Sequence, residues 1–198
     1  MQTARLFYLM GASGTGKDSL LHYLRCHLSP ESRVQLPQRW ITRPADAGGE
    51  DHIALSTDEF QRRLAAGEFA MHWQSHGFHY AIGNEIDGWL SQGVHVVING
   101  SRHYLETART LYPQLQPVLI RVSHHTLFER LTRRGRENAE EIEQRLQRAE
   151  ALDQHLTDHD LLVIDNDGQL AVAGERLLRH ILAAGDITEA QDSHRKLA

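Results

Sequence analysis

The chain has 198 residues, 40% hydrophobic and 24% charged, enough to bury a core in one globular unit of ordinary size. Its 21 basic residues stand against 26 acidic ones, a net charge of -5 that argues against a nucleic-acid surface, and the single Cys26 excludes an internal disulfide or a cysteine-based zinc site. No apolar run approaches a membrane span and the first strand starts within a few residues of Met1, so the expected location is the cytoplasm, with no membrane or nucleic-acid partner.

Leu6 to Met10 reads as a buried strand, and Lys17 to about Leu28 as an amphipathic helix. Between them Gly11-Ala12-Ser13-Gly14-Thr15-Gly16-Lys17 is G-x-x-x-x-G-K, a phosphate-binding loop. Its glycines let backbone N–H groups curl round phosphate oxygens, the helix start adds unpaired amides, and Lys17 supplies a mobile charge. ATP is the expected ligand of residues 11 to 19. The position after the lysine, usually Ser or Thr, is Asp18, with Ser19 next; a carboxylate there is a candidate Mg²⁺ ligand.

The first helix ends near Ser29-Pro30, and Val34 to Ile41 reads as an extended segment leading to a polar loop through Asp51. Ser56-Thr57-Asp58-Glu59 is a capping box that starts a helix carrying Phe60 and Leu64. Phe69 to Trp73 and Phe78 to Ile82 form a hairpin around Ser75-His76-Gly77, so residues 39 to 82 read as an insert beside the main sheet. Residues 85 to 92 are helical in pattern, Val94 to Ile98 is a strand, and Asn99-Gly100-Ser101-Arg102 lies at its C-terminal end. A helix to about Leu111, a strand from Val118 to Val122, and a helix capped by Ser123 and running through Arg134 follow.

Arg130 to Arg148 is dense in arginine. Ile142, Leu146, Ala149 and Leu152 give its later half an apolar stripe, so Arg145 and Arg148 read equally as solvated residues paired with Glu141 and Glu143. Against that, Gly135 interrupts Arg133, Arg134 and Arg136, the pattern of a hinged basic lid that closes over a transferring phosphoryl group. Leu161 to Ile164 is the last strand, and a closing helix ends near Ala184, leaving 185–198 as a polar, frayed tail. Strands separated by helices make an α/β fold, a parallel sheet covered on both faces with ligands at the C-terminal strand ends. Residues 1–184 are expected to be one P-loop NTPase domain. His76, His79, His124 and His125 lack metal-site spacing and are expected to be exposed or otherwise satisfied.

The phosphate loop, Thr42-Arg43, Gly67-Glu68-Phe69, Gly77-x-x-Tyr80, Arg134-Gly135 with Arg145 eleven residues on, and Asn166-Asp167 resemble the guanylate kinase fold in order, from about Leu6 to Leu182. That resemblance implies an acceptor in the insert, gripped through its phosphate by Arg43. It implies ATP on the loop with Asn166 near the adenine, and Lys17, Arg130, Arg134 and Arg145 as the catalytic cations. Arg148, outside the match, is expected to be a plain solvated residue. The departures are as informative. The positions that read guanine are Met71 and Ile82, the phosphate-gripping tyrosine is His52, the second arginine of R-x-P-R is Asp46, and the acidic D-I-D segment is Ile98-Asn99-Gly100-Ser101-Arg102. A site that must hydrogen-bond a base loses orders of magnitude without those partners.

Lys17-Asp18-Ser19-Leu20-Leu21, Ile41-Thr42-Arg43, Asp51-His52-Ile53-Ala54-Leu55-Ser56, Ile98 to Arg102 and Arg134-Gly135-Arg136-Glu137-Asn138 are similar, more narrowly, to the ribose 1,5-bisphosphate phosphokinases, a bacterial family of phosphonate use. This implies transfer from ATP to ribose 1,5-bisphosphate, with Mg²⁺ at Asp18 and with Arg43, His52 and Arg102 on the sugar bisphosphate. A nucleoside monophosphate kinase of altered base preference, or a guanylate-kinase-like protein-binding module without catalysis, are the other readings. The oligomeric state is open.

Overall fold

A computed structural model describes residues 4–45, 50–135, 138–154, 156 and 159–195. Asp46 of the insert loop, Arg136 and Glu137 of the lid, and the last three residues of the tail lie outside the described residues, as does the side chain of Leu152.

The main sheet is built on β1 (Leu6–Met10), with β7 (His95–Asn99) and β8 (Gln116–Arg121) hydrogen-bonded on either side. β2 (Val34–Gln35) and β9 (Leu162–Asp165) complete an all-parallel order β2-β7-β1-β8-β9. Strands buried on both faces need apolar side chains at every position, which is why β1 reads as an unbroken apolar run. Successive side chains then part company. Leu6, Tyr8 and Met10 face one layer with Val96, Ile98, Leu105 and Ala108. Phe7 and Leu9 face the other, where Leu20, Leu21 and Leu24 of α1 (Lys17–His27) meet Ala173, Leu177 and Ile181 of α7 (Leu170–Arg195).

The insert is a second sheet of order β4-β3-β6-β5, formed by β3 (Trp40–Ile41), β4 (Ile53–Ala54), β5 (Phe69–Ser75) and β6 (Phe78–Gly83). Its hairpin turns on His76 and Gly77, both at positive φ (51° and 79°), the geometry that matches the strand twist. The extended segment expected over 34–41 is in fact divided between the two sheets. Pro37 lies between β2 and β3, where its missing N–H prevents one strand from carrying through. α2 (Thr57–Ala65) is capped by Ser56, whose hydroxyl accepts from the Glu59 amide at 3.1 Å. α3 (Glu85–Ser91) and α4 (Leu105–Leu111) connect back to the main sheet.

α5 (His124–Arg134) starts at Ser123 and stops at Gly135, whose φ of 65° ends the helix. α6 (Ala139–Gln154) folds back on it. Leu127 and Leu131 of α5 and Ile142, Leu146 and Ala149 of α6 bury a small third core that touches the phosphate loop through Ala12. The closing helix runs to Arg195, eleven residues past its expected end near Ala184. Gly185 costs only about 1 kcal/mol in a helix and no proline follows it. Among the described residues no helix is long and apolar enough to cross a membrane.

Candidate active site

The loop after β1 makes its turns at Gly11, Gly14 and Gly16, all at positive φ. At Gly16 the conformation and the space both demand glycine: φ is 90°, and a Cβ would stand 2.5 Å from Nδ2 of Asn166. Thr15 is turned inward, its hydroxyl donating to the Ala12 carbonyl at 2.9 Å. Lys17 reaches back over the loop and donates from Nζ to the carbonyls of Gly11 (2.8 Å) and Ala12 (3.0 Å). Burial pulls its ammonium down to about 8, with Arg39 and Arg102 adding to the shift and Asp18 opposing it.

Beside the loop opens a cleft of about 1220 Å³. Gly11, Ala12, Ser13, Gly14, Gly16, Lys17, Asp18 and Ser19 line it from the loop, Arg43 from the insert, Arg102 from the end of β7, Asn166 from the end of β9, and Arg130, Arg134 and Arg145 from α5 and α6. Four chain segments far apart in sequence thus bring their cations to one opening. The arginines differ in what they hold. Arg130 donates to the Thr15 carbonyl (3.3 Å) and the Asn166 carbonyl (2.7 Å), while Asn166 Nδ2 donates to Thr15 O at 2.8 Å, so this trio ties α5 and β9 to the loop. Arg134 donates to Ser13 Oγ at 3.2 Å. Arg102 donates to Asp153 Oδ1 (2.6 Å) and the Ala149 carbonyl (3.1 Å), joining the main sheet to α6. Arg43 presents buried Nε and Nη2 atoms that find no acceptor among the described residues, a standing demand for an anion.

The structure qualifies two expectations. His52 does not line the cleft: the residue is 8% exposed, with Nδ1 3.0 Å from the Glu50 carbonyl and Nε2 3.0 Å from the Arg43 carbonyl, and so braces the backbone that carries Arg43. Arg148 does line the cleft. Once Ile142, Leu146 and Ala149 are buried, helical geometry places Glu141, Gln144, Arg145 and Arg148 along one neighbouring stripe.

The structure adds residues to which sequence reasoning gave no role. Arg39 donates from Nε to both oxygens of Glu50 (2.9 and 3.0 Å) and from Nη2 at 2.6 Å, with the two side chains 14% and 9% exposed. Asn99 Nδ2 donates to Glu50 Oε2 (2.9 Å) and to Asp18 Oδ1 (3.0 Å), spanning insert, main sheet and loop helix. At the next position Gly100 leaves no room for a side chain. A Cβ would stand 2.1 Å from the Tyr8 ring, whose hydroxyl accepts from the Ser101 amide and donates to the Ser101 carbonyl. The Asn99-Gly100-Ser101 run was visible in the sequence, but nothing in the spacing of Arg39 and Glu50 announces a pair across a loop.

Among the described residues no group of three or more His, Cys, Asp or Glu is placed to hold a metal. The donor set suits a cation that arrives with phosphate oxygens and water as its other ligands. Asp18 faces the cleft beside Lys17, and Asn99 engages one of its two oxygens.

The chain matches the guanylate kinase family model over residues 3–181. It is 53% identical over 174 residues, 88% of each chain, to the ribose 1,5-bisphosphate phosphokinase PhnN of Psychromonas ingrahamii. It is 51% identical over 193 residues, 98% of this chain and 99% of the relative, to the protein of that name from Desulfomicrobium baculatum. Among solved structures, a guanylate kinase from Anaplasma phagocytophilum aligns with a TM-score of 0.67 at 18% identity, covering 93% of this chain and 88% of that one, a likeness of fold alone.

Proposed function

The chain belongs to the guanylate kinase family and, within it, to the ribose 1,5-bisphosphate phosphokinases, and from that premise we propose that it transfers the γ-phosphoryl group of ATP to ribose 1,5-bisphosphate, giving ADP and 5-phosphoribosyl 1-diphosphate. The observation that carries this over a nucleotide acceptor is the state of the insert. Met71 and Ile82, directly opposed on β5 and β6, are 1% and 0% exposed in the apolar core, so the positions from which a guanylate kinase reads its base are closed and apolar.

The attacking atom is an oxygen of the acceptor's 1-phosphate. It bonds to the γ-phosphorus as the bond from that phosphorus to the β,γ-bridging oxygen breaks, and ADP departs with the electron pair. The nucleophile is already anionic at neutral pH, so no base is needed. The work left to the protein is alignment and charge neutralisation. The loop amides and Lys17 hold the β- and γ-phosphates, Arg43 takes an acceptor phosphate, and Arg134 and Arg145 close on the transferring group. Arg130 and Asn166 hold the nucleotide end of the cleft in shape. Asp18 is the residue that would hold Mg²⁺, which would supply further neutralisation of phosphate charge. Arg102, committed to Asp153, serves the acceptor by tying the β7 end to the lid.

ADP release measured with ribose 1,5-bisphosphate and with GMP at equal concentration tests the reading. Turnover of the sugar bisphosphate is expected to exceed that of GMP by at least about 10²-fold, the scale on which a site lacking base partners discriminates. Comparable turnover of GMP would return the protein to the nucleotide kinases.

A further inference from the structure

On the function proposed above the acceptor sits between the phosphate loop and the insert, and there the insert carries a row of aromatic rings. Trp73 of β5 and Tyr80 of β6 are a directly opposed cross-strand pair, with centroids 5.7 Å apart and planes 6° from parallel. Tyr104 extends the row, 5.4 Å from Trp73. Trp73 and Tyr80 both border the cleft. Flat ring faces beside a phosphate site form a platform on which a nucleobase stacks, because every base has a π-face. Here a cation already lies on it. The Arg39 guanidinium is 5.0 Å from the Tyr80 centroid and 5.9 Å from that of Trp73, and each of the two residues is only 8% exposed.

The pose of Arg39 is fixed from the other side as well. Nε and Nη2 are turned to Glu50, which Asn99 holds in turn, and Asn99 also binds the carboxylate of Asp18 at the start of the loop helix. No described residue accepts a hydrogen bond from Nη1. A guanidinium can lie flat on rings by its faces while it donates from its edge, which an ammonium cannot do. Arg39 shares the cleft with Lys17 and with the buried, acceptor-less Nε and Nη2 of Arg43, so its free edge belongs to a region short of negative charge.

We propose that Arg39 determines the class of acceptor: stacked on Tyr80 and Trp73 and steered by Glu50, it occupies the surface a planar base would use and offers Nη1 to an anionic oxygen of a sugar phosphate. The same side chain therefore excludes nucleotides and recruits the smaller polyanion. The chain Arg39–Glu50–Asn99–Asp18 also sets this seat in fixed register with the nucleotide loop.

The test uses Arg39→Ala and, because that change leaves the Glu50 carboxylate buried without its partner, the double variant Arg39→Ala with Glu50→Gln. Three ligands are titrated by calorimetry: ribose 5-phosphate, GMP and ATP. Loss of one charge-assisted contact is expected to weaken ribose 5-phosphate about tenfold or more, and opening the platform to strengthen GMP by about tenfold, with ATP binding within about twofold of wild type. In turnover, KM for ribose 1,5-bisphosphate should rise by a similar factor while kcat falls much less. Ribose 5-phosphate binding within about twofold of wild type in both variants, a GMP affinity that does not increase, or a loss shared equally by ATP would overturn the assignment. A lesion of the fold alone lowers all three affinities and cannot raise one. If the wild-type protein did not turn over ribose 1,5-bisphosphate, the proposed reaction would fall, but the calorimetric arms would still read Arg39 directly.

Discussion

Lys17 carries its charge in a place that resists it. Its ammonium is shared between the carbonyls of Gly11 and Ala12, and burial brings it from the usual lysine value down to about 8. Above that pH the folded, ligand-free protein has begun to release a proton that an unfolded chain keeps until about 10.5. This group therefore penalises folding at neutral pH, and the penalty lifts as pH rises through the window. The β- and γ-phosphates of ATP act in the opposite sense, since anions beside the ammonium favour its charged form. ATP binding above about pH 8 should thus take up a proton, and affinity should fall by up to about tenfold per pH unit beyond that point. Calorimetry near pH 9 in two buffers of different ionisation enthalpy measures the uptake. Lys17→Met should abolish both the proton uptake and the slope, along with turnover. A wild-type ATP affinity that is flat between about pH 7 and 9.5 would mean that Lys17 does not meet the phosphates.

At the scale of elements, the lid is the part whose role separates most sharply from plain helical charge. α5 and α6 meet at Gly135 and share a small apolar core that touches the loop through Ala12, while Arg130 ties α5 to Thr15 and Asn166 and Arg102 ties α6 to the β7 end. If Arg134 and Arg145 neutralise charge that develops during transfer, Arg134→Ala and Arg145→Ala should each lower kcat by about 10²-fold while leaving KM for the sugar bisphosphate nearly unchanged. Arg148 is no neutral control, because it lies on the same stripe of α6. Arg179 of α7, its side chain 74% exposed and paired with Glu175 at i,i−4, is the better one, and Arg179→Ala should leave kcat alone. Normal turnover in the first two variants would make the stretch an ordinary charged helix.

This is also where the limits of reading the sequence lie. The strand, loop and helix from Leu6 to His27 were legible because each has a local cause: an apolar run, a glycine pattern, a 3.6-residue period. So were the caps at Ser56 and Ser123, which need only a hydroxyl before a helical stretch. Arg148 is exposed, as its charge implies, but its place beside the cleft follows only when helical phase is applied to the face next to the buried stripe as well. His52 and Arg39 were beyond local rules. Both sit beside a polar loop, and whether such a side chain turns to the backbone, as His52 does, or to an aromatic row, as Arg39 does, is decided by which strand the loop rejoins. The parallel pairing of β3 with β4 across residues 42 to 52 settles that, and two-residue strands leave no periodicity to read.

At the scale of the whole molecule, the cleft is bounded by the main sheet with its loop, the insert sheet, which shares a core with one face of the main sheet, and the α5–α6 pair, which has a core of its own. At about 1220 Å³ it exceeds the roughly 300–1,000 Å³ typical of a single small ligand. Lys17, Arg43, Arg130, Arg134, Arg145 and Arg148 all border it. Like charges around one opening repel, more strongly where little water intervenes, and two polyanionic substrates reverse that term. Transfer also requires the acceptor oxygen to come within about 3–3.5 Å of the γ-phosphorus, which the insert and the lid reach only by approaching the loop. The molecule should therefore contract when both substrates are bound and contract less with either alone, since each leaves part of the positive lining unmatched. Small-angle X-ray scattering with a non-hydrolysable ATP analogue, ribose 1,5-bisphosphate, and the two together measures this directly. A radius of gyration that is the same in all four states would mean that the site is preformed, and the arginines of α5 and α6 would then have to act from where they already stand.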